Sequence, residues 1–446
     1  MTPETVDSKN ILPCKLAVIG AGMAGIAAAV FAANRNIPTV QVGRVSEIGF
    51  SSGCLDLFAT LPHPEVRSEY SQGEHTCSGS TQAFDHPFEG IEHLVKAYPS
   101  HPYARLTRQE IETGFDEFMQ FMAGAGIEYH CGTDTNPRII TPAGTLKSTW
   151  CVPSFMQEGS RAIEEKKRIL IVDIKGLKGF GALQIAQNLK KILPGVQGKT
   201  ITFPGRETSG DLHCEHLGRD LENPGLFDRF AQTLMPHVKD VDVVGLPAIL
   251  GIYRFDAARH KLEQVIGKKV FEIPTLAPSV TGMRIKEASL SRLPQLGVTG
   301  FSSLVKQIDM DSDGDFMFNV TRGLETVTVK AKYLLIATGR FMGRGLVVED
   351  GIIREQLMGL PVYQPRNRSQ WFHRDFFHAQ GHPINRAGVE TDACFRPLDI
   401  RGKVFHPRLF TAGSLIAHQD WKREKSGAGV SIASAIKAVA TIAEQG

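Results

Sequence analysis

The sequence contains no Cys-X-X-Cys pair. Its seven cysteines are scattered, at positions 14, 54, 77, 131, 151, 214 and 394. This excludes a thiol–disulfide centre of the Cys-X-X-Cys type and an iron–sulfur or zinc site built from this chain's cysteines, so we predict no metal site. An odd number of dispersed cysteines is more typical of a reducing cytoplasm than of a disulfide framework.

Long apolar runs and a strong charge of one sign are also missing. The first ten residues, MTPETVDSKN, are polar and lack the apolar core of a signal peptide. No run approaches the roughly 20 apolar residues that a membrane-spanning helix needs. The formal net charge is only +3, which gives no indication of a nucleic-acid partner. We therefore expect a cytoplasmic protein that reaches a membrane only through partners.

The clearest positive signal lies near the N-terminus. A buried strand (16–19) is followed by Gly20-Ala-Gly22-Met-Ala-Gly25, an alanine-rich helix and a second strand (39–42). In such a turn the first glycine permits the tight bend, the second lets the backbone approach a phosphate, and the third lets helix and strand pack closely. The pattern predicts that the helix N-terminus binds the phosphate of a dinucleotide or flavin. The alternative is a tight turn without a ligand.

An expected acidic residue is absent from the end of the second strand. Dinucleotide-binding units usually have Asp or Glu there, which bonds the adenosine ribose. This chain has Gln41, Val42, Gly43 and Arg44 instead, and the nearest acid is Glu47. The sequence therefore supports phosphate binding but not the adenosine half of a dinucleotide.

The middle of the chain predicts a separate α/β domain. A strand, a glycine-rich turn and a helix follow one another in 168–191, and a further buried strand lies in 241–252. A polar loop is predicted from Leu61 to Gln82. We expect a discontinuous Rossmann-like flavin domain comprising residues 11–60, 283–355 and 404–446. The substrate or cap region then comprises residues 61–282 and 356–403.

Two later stretches add to the N-terminal motif. A predicted β-meander over 301–333 leads into a buried strand that ends at Thr338-Gly339. Near the C-terminus, a strand ends at Gly413-Ser414, and Gly427 and Gly429 open an apolar helix. The start of this helix again offers backbone N–H groups to an electron-rich ligand.

Several polar residues have both a functional and a structural interpretation. Ser51, Ser52 and Gly53 suit close approach to a planar ligand, or they cap a helix. Lys147 lies in a hydroxyl-rich stretch that is either a substrate loop or an ordinary hairpin. Arg284 opens a helix and is either an anion ligand or a solvated arginine.

Together the three glycine-bearing features resemble flavoprotein oxidoreductases of the two-dinucleotide-binding type, related to fumarate reductase. Within that group the chain resembles the B subunits of anaerobic glycerol-3-phosphate dehydrogenases. The matching stretches are GAGMAG at 20–25, SSGCLDL at 51–57, HPY at 101–103 and TPAGTLKSTW at 141–150. Weaker support comes from 274–285, 375–377 and 388–392 with Arg396.

The resemblance implies oxidation of sn-glycerol 3-phosphate to dihydroxyacetone phosphate. Electrons would leave through a complex with a flavin-bearing A subunit and an iron–sulfur C subunit, which passes them to quinone. It also implies a peripheral position on the inner membrane through those partners, and FMN as the cofactor, with FAD as the alternative. Two other functions stay open: a non-catalytic flavin electron-transfer subunit, and a flavin reductase for another small acid.

The chemistry of that reaction needs cations for the phosphate and a base for the hydroxyl proton. The candidate cations are Lys147, Arg284, Arg340 and Arg396, with Arg340 assigned to catalysis and the others to substrate binding. The candidate bases are His101 and His382. The predicted cofactor ligands are Gly20, Gly22, Gly25, Ser51, Ser52, Gly53, Thr338, Gly339, Gly413, Ser414, Gly427 and Gly429.

Overall fold

A computed structural model describes residues 11–44, 47–62, 81–208, 210–378 and 380–445. The predicted loop from Leu61 to Gln82 therefore lies almost wholly outside the described residues. The strands in these ranges are β1 (Ile11–Ile19), β2 (Thr39–Val42), β3 (Thr60–Pro62), β4 (Thr81–Ala83), β5 (Tyr129–Cys131), β6 (Arg138–Ile140), β7 (Leu146–Ser148), β8 (Cys151–Pro153), β9 (Ile169–Ile174), β10 (Val196–Ile201), β11 (Val243–Pro247), β12 (Lys269–Ile273), β13 (Thr299–Phe301), β14 (Asp309–Met310), β15 (Phe316–Arg322), β16 (Glu325–Ile336), β17 (Leu346–Glu349), β18 (Ile352–Glu355), β19 (Val362–Tyr363), β20 (Gly388–Val389) and β21 (Leu409–Thr411). The α-helices are α1 (Met23–Asn34), α2 (Pro87–Ala97), α3 (Arg108–Ala123), α4 (Ser154–Glu164), α5 (Ala182–Leu189), α6 (Cys214–Asp220), α7 (Pro224–Leu234), α8 (Phe255–Ile266), α9 (Val280–Gln295), α10 (Trp421–Glu424) and α11 (Gly427–Glu444).

The chain divides into two compact units. The first comprises Met1–Glu47, Asp56–Phe121 and Leu290–Gly446, and the second comprises Ile48–Leu55 and Met122–Ser289. This division differs from the predicted one, because residues 81–121 and 356–403 belong with the glycine motif rather than with the inserted region. Packing gives the reason: a Cβ built at Gly114 of α3 would lie 3.1 Å from Ile432 of α11, and the Ala417 N–H donates to the Val389 carbonyl.

A mixed sheet organises the first unit. Its strand order is β13-β2-β1-β16-β15-β14, and β21 pairs with the end of β16. Strand β1 is parallel to both β2 and β16, with Ile19 opposite Val42 and Ile336. The carboxyl ends of β1, β2, β16 and β21 therefore meet at one edge, which is where open α/β sheets bind ligands. The predicted second strand over 39–42 is confirmed.

The predicted meander is confirmed only in part. Strands β14, β15 and β16 are antiparallel neighbours, but β13 pairs in parallel with β2 on the far side of the sheet. The predicted buried strand that ends at Thr338 is the second half of β16 rather than a separate element.

Two apolar helices pack against each other in the first unit. Helix α1 is buried from Ala24 to Ala32, and α11 is buried over most of its length. By length and composition α11 would be able to cross a membrane, yet 67% of its apolar window is buried inside the fold. A core helix of this kind explains its composition without a bilayer.

The second unit has its own parallel sheet, in the order β10-β9-β11-β12. All six residues of β9 and all five of β11 are buried, as expected for parallel strands that are covered on both faces. Helices α4, α5 and α8 pack on these strands. The predicted separate α/β domain and the Rossmann-like fold class are both confirmed.

A disulfide in the second unit contradicts the expectation of reduced cysteines. Cys131 of β5 lies directly opposite Cys151 of β8, and their sulfurs are bonded. The two cysteines are separated by 20 residues in sequence, so only the antiparallel pairing of the strands brings them together. Spacing rules for short cysteine motifs do not detect such a pair.

Candidate functional site

The glycine turn of the first unit is sterically closed to side chains. Gly20 has a φ of +145°, and a Cβ there would lie 2.2 Å from the Ala337 carbonyl oxygen. A Cβ at Gly25 would lie 2.1 Å from the Gly20 carbonyl oxygen. Helix α1 begins after Gly22, and its first intrahelical bond is donated by Ile26. The Gly20 N–H donates to the Val42 carbonyl, so the N–H groups between Gly20 and Ile26 are those that face an anion at the helix start.

The end of β16 lies beside this turn. Gly339 has a φ of +73°, and a Cβ there would lie 3.5 Å from the Ser414 hydroxyl. The hydroxyl of Thr338 is buried and makes no hydrogen bond within the described residues. Buried polar atoms without partners are rare in native folds, so this hydroxyl is available to a bound group at the sheet edge.

Gly413 contacts both apolar helices, the first turn of α1 and the second and third turns of α11. Its φ is +76°, and a Cβ there would lie 2.6 Å from the Ala24 Cβ. Its N–H donates to the Ser434 hydroxyl of α11 at 2.9 Å. The start of α11 is equally tight, since a Cβ at Gly429 would lie 2.0 Å from the Tyr103 hydroxyl. We call these residues the glycine cradle, because a side chain at any of them would collide with the chain's own atoms. The N–H groups of the turn after β1 fit the phosphate of a flavin at this sheet edge.

The end of β2 carries no ribose-binding acid. The Gln41 side chain donates to the Gly20 carbonyl at 3.1 Å and so stabilises the glycine turn. A Cβ at Gly43 would lie 2.6 Å from the backbone nitrogen of Ala21. A side chain at position 43 therefore has no room.

Ser51, Ser52, Gly53 and Lys147 belong to the second unit. The Lys147 ammonium donates to the Ser52 hydroxyl at 3.3 Å. Gly53 has a φ of +84°, and a Cβ there would lie 3.0 Å from Thr281. A cation and hydroxyls thus lie together, which is the chemistry that binds a phosphate or carboxylate.

Two predicted arginines are structural. The Arg340 guanidinium donates to the backbone carbonyls of Asn385, Ser414, Ile416 and Gln419. Burial lowers the pKa of Arg340 to about 10, although the nearby carboxylates of Asp420, Glu424 and Glu47 oppose that shift. Its donors are engaged in holding the turn after β21, which does not support the assignment to catalysis.

Arg284 is also not a substrate ligand. Its guanidinium pairs with Glu272 and donates to the Gly251 carbonyl, without solvent exposure. The Phe155 and Phe255 rings lie 4.6 and 4.3 Å from the guanidinium carbon. A guanidinium enclosed in this way is inaccessible to a substrate anion.

His101 does not have the access that a catalytic base requires. Its side chain has 0% exposure; the ring Nδ1 accepts the Tyr103 N–H, and Nε2 lies 3.2 Å from a Glu424 oxygen. The sequence gives no sign of Glu424, which lies in an ordinary charged stretch. The only sequence feature around His101 was the stretch HPY, which is as consistent with a buried turn as with a catalytic base.

His382 and Arg396 stay predictions. The His382 Nδ1 accepts the His373 N–H, and its Nε2 lies 3.1 Å from the Phe376 carbonyl. Arg396 pairs with Asp392 at 2.7 Å and keeps 26% of its side chain exposed.

The fold and the glycine cradle define a flavin-binding oxidoreductase of the Rossmann-like class. The chain belongs to the FAD binding domain family, whose sequence profile matches residues 15–430, and within it to the B subunits of anaerobic glycerol-3-phosphate dehydrogenases. It is 31% identical over 436 residues to the B subunit of the anaerobic glycerol-3-phosphate dehydrogenase of Vibrio vulnificus (strain YJ016), with 95% of each chain covered. The corresponding protein of Vibrio cholerae serotype O1 (strain M66-2) is 31% identical over 439 residues, with 96% of each chain covered.

Among solved structures, the 3-ketosteroid delta1-dehydrogenase of Sterolibacterium denitrificans is similar over 97% of this chain and 100% of that chain. It shares 10% identity and has a TM-score of 0.42. The family membership confirms the predicted resemblance and a flavin as the cofactor class.

Proposed function

We propose that this chain oxidises sn-glycerol 3-phosphate to dihydroxyacetone phosphate with its bound flavin. The similarity to glycerol-3-phosphate dehydrogenase subunits over 95% of both chains carries the proposal. The contact between Lys147 and Ser52 supports it, since an ammonium beside hydroxyls suits a phosphomonoester.

The reaction removes a hydride from C2 and a proton from its hydroxyl, leaving a ketone. The flavin supplies the hydride acceptor. In this proposal Lys147 holds the phosphate of the substrate and thereby orients the molecule. Positioning of this kind contributes more to the rate than a phosphate contact alone would suggest.

A second function is favoured by one observation. His101 is enclosed, and both ring nitrogens of His382 are engaged with its own loop. A chain whose two candidate bases are both engaged is better suited to pass electrons than to oxidise an alcohol. The alternative is therefore a flavin electron-transfer subunit that works beside a catalytic partner.

One experiment separates the two functions. The purified, flavin-loaded chain is mixed with sn-glycerol 3-phosphate without oxygen, and the visible flavin absorbance is followed. Bleaching by the chain alone supports the catalytic function. Bleaching only after a flavin-bearing partner subunit is added supports the electron-transfer function. Absence of bleaching in both mixtures would contradict both.

We propose FMN as the flavin, with FAD as the alternative. The crowded position at Gly43 and the absence of an acid at the end of β2 support FMN. The description of the matching family favours FAD. Heat release of the cofactor followed by chromatographic separation decides the point, and released FAD would contradict the proposal.

We further propose that the chain works in the cytoplasm as one component of a complex. Its curated relatives are named as subunits, which supports this. The other components would be a flavoprotein A subunit and an iron–sulfur C subunit that delivers electrons to quinone at the inner membrane. Co-expression with tagged partners, followed by membrane fractionation, tests it: the chain should sediment with membranes only when the iron–sulfur subunit is present.

A further inference from the structure

A buried histidine–carboxylate pair lies beside the first turn of α11. The His101 Nε2 lies 3.2 Å from the Glu424 Oε2, and the two side chains are 0% and 2% exposed. Because the His101 Nδ1 accepts the Tyr103 N–H at 3.1 Å, a neutral ring carries its proton on Nε2 and donates it to the carboxylate.

Glu424 extends this contact to the helix start. Its Oε1 accepts the Asp420 N–H at 2.8 Å, and its Oε2 accepts the Ser426 hydroxyl at 3.0 Å. Ser426 is the residue before α11, and its side chain makes no capping bond to the helix. The carboxylate therefore fixes the chain on both sides of the turn that leads into α11.

The residues after His101 hold α11 from a second direction. The Tyr103 hydroxyl donates to the Leu57 carbonyl at 2.6 Å, and the Gly429 N–H donates to the Asp56 carbonyl at 2.7 Å. A Cβ at Gly429 would lie 2.0 Å from the Tyr103 hydroxyl. The segment 101–103 thus contacts Glu424, at the end of α10, and Gly429, in the first turn of α11.

Glu424 carries a negative charge at this turn. Burial raises the pKa of Glu424, but the interaction with His101 and the hydrogen bonds from His101, Asp420 and Ser426 outweigh it, so the pKa lies below its ordinary value. A carboxylate near a helix N-terminus reduces the positive potential that the helix offers to an anionic ligand. A reduced flavin is such a ligand.

We propose that His101 and Glu424 are positioning residues that set the reduction potential of the flavin. Both side chains are enclosed, so they act through the first turn of α11 rather than by touching the cofactor. Glu424 holds that turn in place and lowers the potential through its charge, while His101 donates to Glu424 and weakens its field. The inference rests on a flavin bound beside this turn, and it does not depend on which substrate the protein oxidises.

The test is a redox titration of the flavin-loaded chain against a dye, without substrate, at about pH 8, where a free carboxylate is ionised. Glu424→Gln removes the charge and keeps the shape. We expect the ratio of reduced to oxidised flavin at a fixed potential to rise about tenfold, which corresponds to about 1.4 kcal/mol. Glu424→Asp keeps the charge, so its ratio of reduced to oxidised flavin should stay close to that of the unchanged protein.

His101→Asn should shift the ratio of reduced to oxidised flavin in the opposite direction. Asparagine retains an acceptor for the Tyr103 N–H but is too short to reach Glu424, so the carboxylate loses a donor. We expect the ratio of reduced to oxidised flavin to fall. Glu349→Gln, which alters an exposed carboxylate of the same unit, is the matched control and should cause no shift.

Opposite shifts in the two variants support the proposal, because a loosened fold would move both in the same direction. Shifts of the same sign, or ratios equal to the control, overturn it. If Glu424→Gln does not retain flavin, the comparison of Glu424→Asp with His101→Asn still decides, since only the second should shift the ratio. Thermal unfolding of each variant shows whether it is folded.

Discussion

Arg284 donates to both carboxylate oxygens of Glu272, at 2.5 and 3.0 Å, and neither side chain has any solvent exposure. The two residues are 12 positions apart and lie on α9 and β12. Because the pair is wholly buried, each charge depends on the other for its stability. The residue that the sequence presented as a phosphate ligand is therefore part of the core of the second unit.

Arg284→Met should lower the free energy of unfolding by about 3–5 kcal/mol, because it leaves the Glu272 charge unpaired in the core. Urea titration followed by fluorescence measures the loss. Arg284→Met combined with Glu272→Gln is the matched variant and should recover much of it, since no charge remains buried. A change in KM without loss of stability would contradict this role.

Gly25→Ala should abolish flavin binding. The added methyl group would lie 2.1 Å from the Gly20 carbonyl oxygen, so the glycine turn must open. Visible absorbance of the purified protein measures the retained flavin. Gly300→Ala is the matched control, because an added Cβ at Gly300 meets no atom within 4 Å. Equal flavin content in the two variants would show that the turn is not the cradle.

Lys147→Ala should raise the KM for sn-glycerol 3-phosphate roughly ten- to a hundredfold, the usual loss for one charge-assisted hydrogen bond. Steady-state kinetics of the assembled complex measures it. Lys175→Ala, at an exposed position in the same unit, is the control and should leave KM unchanged. An unchanged KM for Lys147→Ala would leave Arg396 as the remaining cation among the predicted residues.

Glu117 connects α3 to the end of α1 through Arg35, with oxygen–nitrogen distances of 2.9 and 3.0 Å. Burial raises the pKa of Glu117, but the hydrogen bonds from Arg35 and Asn34 outweigh it, so the pKa lies below its ordinary value. A lowered pKa in the folded state stabilises the protein above about pH 4.5, and this contribution disappears as the pH falls through the folded-state pKa.

Glu117→Gln should therefore cost about 1 kcal/mol at neutral pH and almost nothing near pH 2. Urea unfolding at a series of pH values measures the difference. Glu112→Gln, which breaks the exposed pair with Arg108, is the control and should cost less than about 0.5 kcal/mol throughout. A cost that does not vary with pH would rule out the ion pair as its source.

The disulfide should contribute about 3 kcal/mol to stability in the oxidised protein, the value expected for closing a loop of 20 residues. Replacement of Cys131 and Cys151 by serine should lower stability by that amount under oxidising conditions and much less after reduction with a dithiol. Peptide mapping without reductant should find the two cysteines linked. Replacement of Cys14 provides a control, since that thiol is free.

The local parts of the flavin site could be predicted from short stretches of sequence. The spacing of Gly20, Gly22 and Gly25 predicted a strand, a turn and a helix. At Gly20 and Gly25 the close contacts leave room only for glycine. The absence of an acidic residue near Gly43 could also be seen in the sequence. Such features depend on neighbouring residues, so a single stretch of sequence contains them.

Which charged side chains are accessible to a ligand depends on the folded chain. Arg284, Arg340 and His101 looked like ligands or a base, yet partners distant in sequence enclose each of them. The unit boundaries and the disulfide likewise depend on contacts between separate segments. Side-chain burial and ion pairing arise from the packing of segments distant in sequence. Residue type and spacing indicate only which chemistry a side chain is able to perform.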